Sequence, residues 1–271
     1  MNDYDRIVRT LKKLEQTSAE CADLPTLARA AGTLPSAFCR LFARWTATPS
    51  QDPLRFLTLA DLEERRIAKR RAGADTRRWR RRRAPRVDLV AATREEIRSG
   101  GAGWTIEAGL AKSPFGTCLI AVGPKGICVL AFPSSKDWKR AAEMIRNEWP
   151  RARLRRADAA ARKWAARLFA LPRKQRSLAP LRAFARGSPF QLRVWRELLR
   201  VPSGALISYG ELARAAGSPG AARAVGSAMA RNPIAWLIPC HRVIRGTKDC
   251  GNYGGGRLRK RAMLAWEGAS L

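Results

Sequence analysis

Between residues 73 and 98 the chain carries Arg77-Arg78-Trp79-Arg80-Arg81-Arg82-Arg83 and then Ala84-Pro85, a run that repels itself and cannot enter a hydrophobic core. Folding must therefore proceed on either side of it, and the 271 residues read as several parts and not as one continuous core. Two readings of the run stand side by side. It is a linker whose arginines also lie along phosphates while Trp79 stacks on an exposed base, or it is a solvated tether and nothing more.

The same bias runs through the chain. With 53 Lys plus Arg against 22 Asp plus Glu, the formal net charge is +31, which calls for a polyanionic partner, nucleic acid ahead of an anionic membrane surface. A hydrophobic fraction of 46% excludes a chain disordered throughout. The start, Met1-Asn2-Asp3-Tyr4-Asp5, lacks the basic and apolar regions of a secretory signal, and no apolar run approaches membrane-spanning length. A cytoplasmic, nucleoid-associated protein with no membrane partner is expected. Cys21, Cys39, Cys118, Cys128, Cys240 and Cys250 are scattered with no CxxC pair, and His241 is the one histidine, so neither disulfides nor a metal site are expected.

Upstream of the arginine run, Ile7, Leu11 and Leu14 recur at helical spacing, with Val8 widening the stripe. Asp23 caps a second short helix marked by Leu24, Leu27 and Ala28 and closed at Gly32. A third buries Phe38, Leu41, Phe42 and Trp45. Two helices about a tight Gly turn form a helix-turn-helix, whose second helix fits the DNA major groove, and a plain helical bundle has the same periodicity. Downstream, Cys118–Val122 and Ile127–Phe132 read as strands of a hairpin turned by Gly123-Pro124-Lys125-Gly126. A helix with Trp138, Ala142, Ile145 and Trp149 on one face follows, which makes a small α/β unit with Cys118 and Cys128 as buried small hydrophobes.

The last third carries the chemistry. Ser188-Pro189-Phe190 opens a helix with Phe190, Val194 and Leu198 on one face, and a short helix from Tyr209 stops at Gly217. Within Gly220–Ala230, Ala222, Val225 and Met229 share one face, while Arg223, Gly226 and Ala230, with Ser227 beside them, make another that is bare except for the arginine. Such a face lets a backbone approach the minor groove while the arginine probes the base stack, and it equally permits tight helix packing inside a protein. Eight residues after Asn232 comes Pro239-Cys240-His241-Arg242-Val243. A thiol is a poor nucleophile until deprotonated, and an adjacent histidine is a usual means of deprotonating it.

The string from Ser208 to Glu267 resembles the O6-alkylguanine-DNA alkyltransferases. Tyr209, Arg223, Asn232, Pro239-Cys240-His241-Arg242-Val243, Gly251-Asn252-Tyr253-Gly254-Gly255 and Glu267-Gly268 fall where that family places them. The resemblance is strongest over Gly187–Gly268 and weaker over about 100–186. Residues Leu27–Gly32 and Pro35–Phe42 resemble an AraC-type helix-turn-helix, so the whole chain is similar to an Ada-type fusion, without the cysteine cluster of the Ada zinc domain. Ser36, Ala37, Cys39, Arg40 and Ala43 would then face DNA.

What the resemblance implies is an α/β and all-α multidomain chain. It comprises an AraC-like helix-turn-helix over 1–72, a basic linker over 73–98, a ribonuclease-H-like α/β subdomain over 99–184 and a winged-helix-like alkyltransferase domain over 185–271. Cys240 would take the alkyl group from O6-methylguanine, with O4-methylthymine as a further substrate, once per molecule. His241 would draw off the thiol proton through a water, Glu267 would orient His241, Tyr209 would assist the leaving purine, and Asn232 would join the turn to the active-site strand. Arg223, Gly226, Ser227, Ala230, Arg242, Tyr253, Gly254 and Arg40 would contact DNA, with Arg223 filling the gap left by a flipped nucleotide. Tyr209, Val243, Tyr253, Gly254 and Gly255 would line a pocket made roomy by its glycines. A monomer acting on double-stranded DNA with no cofactor is implied, together with Ada-like transcription regulation. The alternatives are an alkylation-responsive transcription regulator that only senses lesions, and a thiol hydrolase using Cys240, His241 and Glu267.

Overall fold

The computed structural model describes residues 2–16, 23–46, 53–57, 87–170, 179–245 and 250–269. The Arg77–Arg83 run and Cys21 lie outside them. Among the described residues the chain is mixed α/β, and it divides into two compact units. One takes its residues from 1–82, 201–209 and 241–271, the other from 83–200 and 210–240.

The first unit begins with α1 (Asp3–Gln16), α2 (Leu24–Ala30), α3 (Pro35–Thr46) and α4 (Pro53–Leu57). Ile7, Leu11 and Leu14 form the buried stripe of α1, as their spacing predicts. The Asp23 carboxylate accepts from the Thr26 amide at 2.8 Å and so caps α2. Gly32, at φ 67°, turns the chain into α3 at an angle that a Cβ would strain. Phe38, Leu41, Phe42 and Trp45 are buried on α3. Phe42 sits edge-on to Trp45 at 5.8 Å and stacks on Phe56 at 6.2 Å.

The second unit is built on a six-stranded sheet: β1 (Val87–Ala91), β2 (Thr105–Ser113), β3 (Gly116–Gly123), β4 (Gly126–Ala131), β5 (Arg153–Arg156) and β6 (Leu181–Ala185), in the order β1-β6-β4-β3-β2-β5. The expected hairpin is β3–β4, antiparallel with Gly123 opposite Gly126, whereas β1–β6, β4–β6 and β2–β5 are parallel. Residues 87–98 correct the linker expectation. Val87, Leu89 and Val90 supply a strand that pairs with β6, and a capping box between Thr93 and Glu96 starts α5 (Arg94–Ser99). The basic run masks this strand in the sequence, because its charge dominates the window in which the apolar residues sit.

Helices α6 (Trp138–Glu148) and α7 (Asp158–Leu168) belong to the same unit. Ala141, Ile145 and Trp149 share one buried cluster with Ile106, Leu119, Ala121 and Phe184, and Trp149 stacks on Phe184 at 5.2 Å. Strand β2 passes α7 so closely that a Cβ on Gly109 would lie 2.6 Å from the Asp158 Cα, while the Asp158 carboxylate accepts from the Leu110 amide at 2.9 Å. Ser188 and Gln191 form a capping box on α8 (Pro189–Leu199), with Pro189 at its first turn. Val194 and Leu198 are buried there, and the Trp195 indole donates to the Ala228 carbonyl of α10 (Ala222–Ala230) at 3.0 Å.

Residues 201–209 and 241–271 complete the first unit. Strand β7 (Ile207–Ser208), followed at once by helix α9 (Tyr209–Ala215), pairs in parallel with β8 (Val243–Ile244), which follows a 3-10 turn over Cys240–Arg242. Helix α11 (Arg257–Ala269) packs its Leu264 against Leu206, Ile244 and Cys250. It also packs against α1, α3 and α4. Among the described residues no helix is long and apolar enough to cross a membrane, and no group of His, Cys, Asp and Glu is placed to hold a metal ion.

Candidate active site

Cys240 and His241 are peptide neighbours in the 3-10 turn, and each is organised by its own unit. On the thiol side, the Asn232 side chain donates from Nδ2 to the Ile238 carbonyl at 2.9 Å and to Cys240 Sγ at 3.2 Å, while its Oδ1 accepts from the Ile234 amide at 3.0 Å. An amide N–H aimed at sulfur stabilises negative charge there. The apolar run 234–238 forms no extended ladder. Ile234 makes a single parallel bridge to Leu130, and the chain then turns tightly through Trp236, which is held at φ 68°. The reason is local: backbone bonds to Leu130 from both sides of Ile234, together with the Asn232 clamp, use up the polar groups that a longer ladder would need. The Trp236 ring packs at 4.8 Å on Phe115 and 5.7 Å on Phe169, and its indole donates to the Leu168 carbonyl at 3.3 Å.

On the other side, His241 and Glu267 are buried together, with Nε2 of the ring 3.1 Å from Oε1 of the carboxylate. An ionised carboxylate only accepts, so Nε2 carries the ring hydrogen and Nδ1 is the basic nitrogen. Burial lowers the His241 pKa below its ordinary value of 6.5 despite the neighbouring Glu267, which keeps the ring neutral and able to take a proton. Burial alone would raise the Glu267 pKa, but the charge of Arg242 and the His241 contact outweigh it and hold the carboxyl ionised.

The family resemblance places Arg242 against DNA. The side chain is instead turned inward, donating from Nε to both Glu267 oxygens at 3.1 and 3.0 Å, from Nη2 to Oε1 at 2.5 Å and from Nη1 to the Val201 carbonyl at 2.5 Å. The carboxylate, buried where water cannot solvate it, needs a counter-charge, and the planar fork of an arginine supplies one. The Gly204 amide completes the Glu267 shell at 3.2 Å. Sequence reasoning also passes over Lys260. Its buried ammonium donates to the Val243 carbonyl at 2.6 Å and to the Cys250 carbonyl, tying β8 to α11. The available signal is the reverse one, because Glu267 is the lone acidic residue of a helix otherwise rich in Arg and Lys.

The remaining expected residues sit as follows. Tyr209 is half-buried, and a Cβ on Gly251 would lie 3.7 Å from its hydroxyl. Tyr253 is half-buried with its hydroxyl 3.6 Å from Met263 Sδ, Val243 is fully buried, Gly254 is exposed and Gly255 half-buried. On α10, Arg223, Ser227 and Ala230 are exposed and Gly226 is half-buried, while Val225 and Ala228 form the buried side. Arg40 and Ser36 are exposed on α3, where Ala37, Cys39 and Ala43 are half-buried. Cys118 and Cys128 are buried in the sheet, and burial pushes both thiols up to about 12, out of reach of nucleophilic chemistry at neutral pH.

A thiol under an amide donor, followed in sequence by a neutral histidine on a buried ionised glutamate, defines a protein equipped for cysteine nucleophile chemistry on a mixed α/β frame. Residues 189–269 match the family described as 6-O-methylguanine DNA methyltransferase, DNA binding domain. The chain is 56% identical over 82 residues to a methylated-DNA--protein-cysteine methyltransferase of Mycobacterium bovis, which covers 30% of this chain and 50% of that protein. It is 33% identical over 180 residues to the bifunctional transcriptional activator/DNA repair enzyme Ada of Escherichia coli, 66% of this chain and 50% of that one. The chain thus spans about half the length of the curated relatives it matches. A crystal structure of the Mycobacterium tuberculosis O6-methylguanine methyltransferase is 33% identical, with a TM-score of 0.49, over 61% of this chain and 94% of that one. Over residues 189–269 the chain is similar to the DNA-binding domain of 6-O-methylguanine DNA methyltransferases.

Proposed function

We propose that the protein repairs DNA by moving the alkyl group of O6-alkylguanine irreversibly onto Cys240. The observation that carries this reading is the buried His241–Glu267 pair directly after a cysteine whose sulfur accepts from Asn232. The thiol proton passes through a water to the neutral imidazole. The sulfur attacks the alkyl carbon, a C–S bond forms as the C–O6 bond breaks, and the electron pair leaves on the purine, helped by the Tyr209 hydroxyl. The imidazolium so formed is stabilised by the Glu267 carboxylate. The thioether is stable, so each molecule reacts once and no cofactor is called for.

The partner in this reading is double-stranded DNA carrying O6-alkylguanine, with O4-methylthymine a further candidate, met by a monomer in the cytoplasmic nucleoid. The exposed face of α10 enters the minor groove, and Arg223 fills the space of the flipped nucleotide. Gly226, Ser227 and Ala230 flank that contact, Tyr253 and Gly254 also meet DNA, and Tyr209, Val243 and Gly255 line the base pocket. Helices α2 and α3 serve as an AraC-like helix-turn-helix with Ser36 and Arg40 outward. The α/β unit and the C-terminal part are read as the ribonuclease-H-like and winged-helix-like halves of the alkyltransferase.

Mass spectrometry after incubation with an O6-methylguanine duplex tests the proposal. A gain of one methyl on the peptide containing Cys240, stopping at one equivalent and absent in Cys240→Ala, is expected. A gain on Cys39 or Cys250, or none, overturns it.

A further inference from the structure

Helix α11 has no solvent side from Lys260 to Gly268. Lys260, Leu264 and Glu267, spaced four and three apart, share the face that meets β8 and His241. What covers the rest of the helix is the N-terminal part of the chain. The Trp266 indole donates to the Trp45 carbonyl at the end of α3 at 3.0 Å, and Arg261 Nη2 donates to the Leu57 carbonyl at the end of α4 at 3.0 Å. Glu15 of α1 bridges Arg257 at 3.2 Å and Arg261 at 3.5 Å, and the Arg259 guanidinium lies 5.9 Å from the centre of the Tyr4 ring. These contacts join residues about two hundred positions apart in sequence, and two of them end on backbone carbonyls at helix C-termini, where acceptors lack partners within their own helix.

We propose that α1–α4 are the positioning platform for Glu267, so that the N-terminal helices set the geometry of the His241–Glu267 pair in addition to any DNA contact of their own. Trp266 is the peptide neighbour of Glu267, and a helix moves as a rigid rod over one turn. A shift of α11 by a few tenths of an ångström lengthens the 3.1 Å contact towards the limit of a hydrogen bond. Arg261 adds to this, being buried with its charge answered from α1 and its fork from α4. By linkage, whatever binds α2–α3 and displaces them acts on the pair, and the pair acts back on that binding. The kinetic consequence rests on the alkyl-transfer reading; the geometric one does not.

His241 is the one histidine of the chain, so a single imidazole signal in an NMR spectrum of the full-length protein reports the pair directly. Trp266→Phe removes the indole donor and keeps an aromatic ring, Leu11→Ala loosens α1 from inside the bundle, and Lys12→Ala, on an exposed position of α1, is the control. The expected result is a displaced imidazole signal in Trp266→Phe and Leu11→Ala, with single-turnover alkyl transfer slowed about ten- to a hundredfold and affinity for undamaged duplex unchanged. Lys12→Ala should match the parent in all three. If Leu11→Ala does not fold, as judged by melting, Trp266→Phe still decides the matter. An imidazole signal unmoved in folded Trp266→Phe overturns the proposal whatever the transfer rate. A displaced signal in a protein whose parent transfers no alkyl group leaves the positioning role standing and sinks the alkyl-transfer reading alone.

Discussion

Glu267 holds three groups at once: the ring of His241, the guanidinium of Arg242 and the amide of Gly204. In Glu267→Gln, Arg242 keeps its charge at a buried position and loses the anion that balances it. Removing one partner of a buried pair costs about 3–5 kcal/mol, which denaturant unfolding would show as a lower midpoint at unchanged slope. Alkyl transfer should slow as well, since the neutral amide does not stabilise an imidazolium. A loss below about 1 kcal/mol, typical of an exposed pair, would mean that water reaches this carboxylate. The two glycines proposed for the pocket differ from one another. A Cβ on Gly255 meets the Tyr253 ring at 2.8 Å, whereas one on Gly254 meets nothing within 4 Å. Gly255→Ala must therefore move Tyr253. It is expected to slow reaction with free O6-benzylguanine more than Gly254→Ala does, and equal rates for the two variants would remove Tyr253 from the pocket wall.

At the scale of elements, two junctions carry the second unit. Gly109→Ala brings a Cβ into the backbone of Asp158 and forces β2 and α7 apart, at about 1–3 kcal/mol, the usual cost of overpacking. Ser188→Ala removes the N-cap of α8 and should cost about 1 kcal/mol. Both losses can be read from urea denaturation. The imidazole signal of His241 should stay in place in each, because neither residue belongs to the unit that holds Glu267.

Protons and salt act on the molecule as a whole. The folded protein binds fewer protons than the unfolded chain at His241, whose pKa burial lowers from 6.5, and at Glu267, whose carboxyl is held ionised. Both therefore contribute stability that is present above their ordinary values and lost on acidification. Melting temperature should begin to fall below about pH 6.5 as the unfolded histidine takes up its proton, and fall further below about pH 4.5 as the unfolded glutamate does. Glu267→Gln should flatten the lower part of that curve, and an unchanged curve would show that other carboxylates govern acid unfolding. With a net charge of +31, binding to undamaged duplex should weaken steeply with salt. A flat salt dependence in filter binding or anisotropy would mean that the charge does not face phosphate.

The local code of the chain is legible in its sequence. The buried stripe of α1, the Asp23 and Ser188 caps, the β3–β4 hairpin and the Cys240-His241 dipeptide all follow from residues within a few positions of one another, where periodicity and capping chemistry act. Strand β1 is hidden by the charge beside it, and the run before Cys240 is too apolar to show that Leu130 and Asn232 bend it into a turn. In sequence Arg242 is one more cation in a chain full of them, and only a buried carboxylate brought from 25 residues away turns it inward. The N-terminal helices, cut off in sequence by an arginine run, share a unit with α11 through Trp45, Leu57 and Glu15. Short-range patterns select helices, turns and the Cys240-His241 dipeptide from neighbouring residues. Which charge is buried, and which helix holds the glutamate in place, depends on contacts across about two hundred residues that no local window contains.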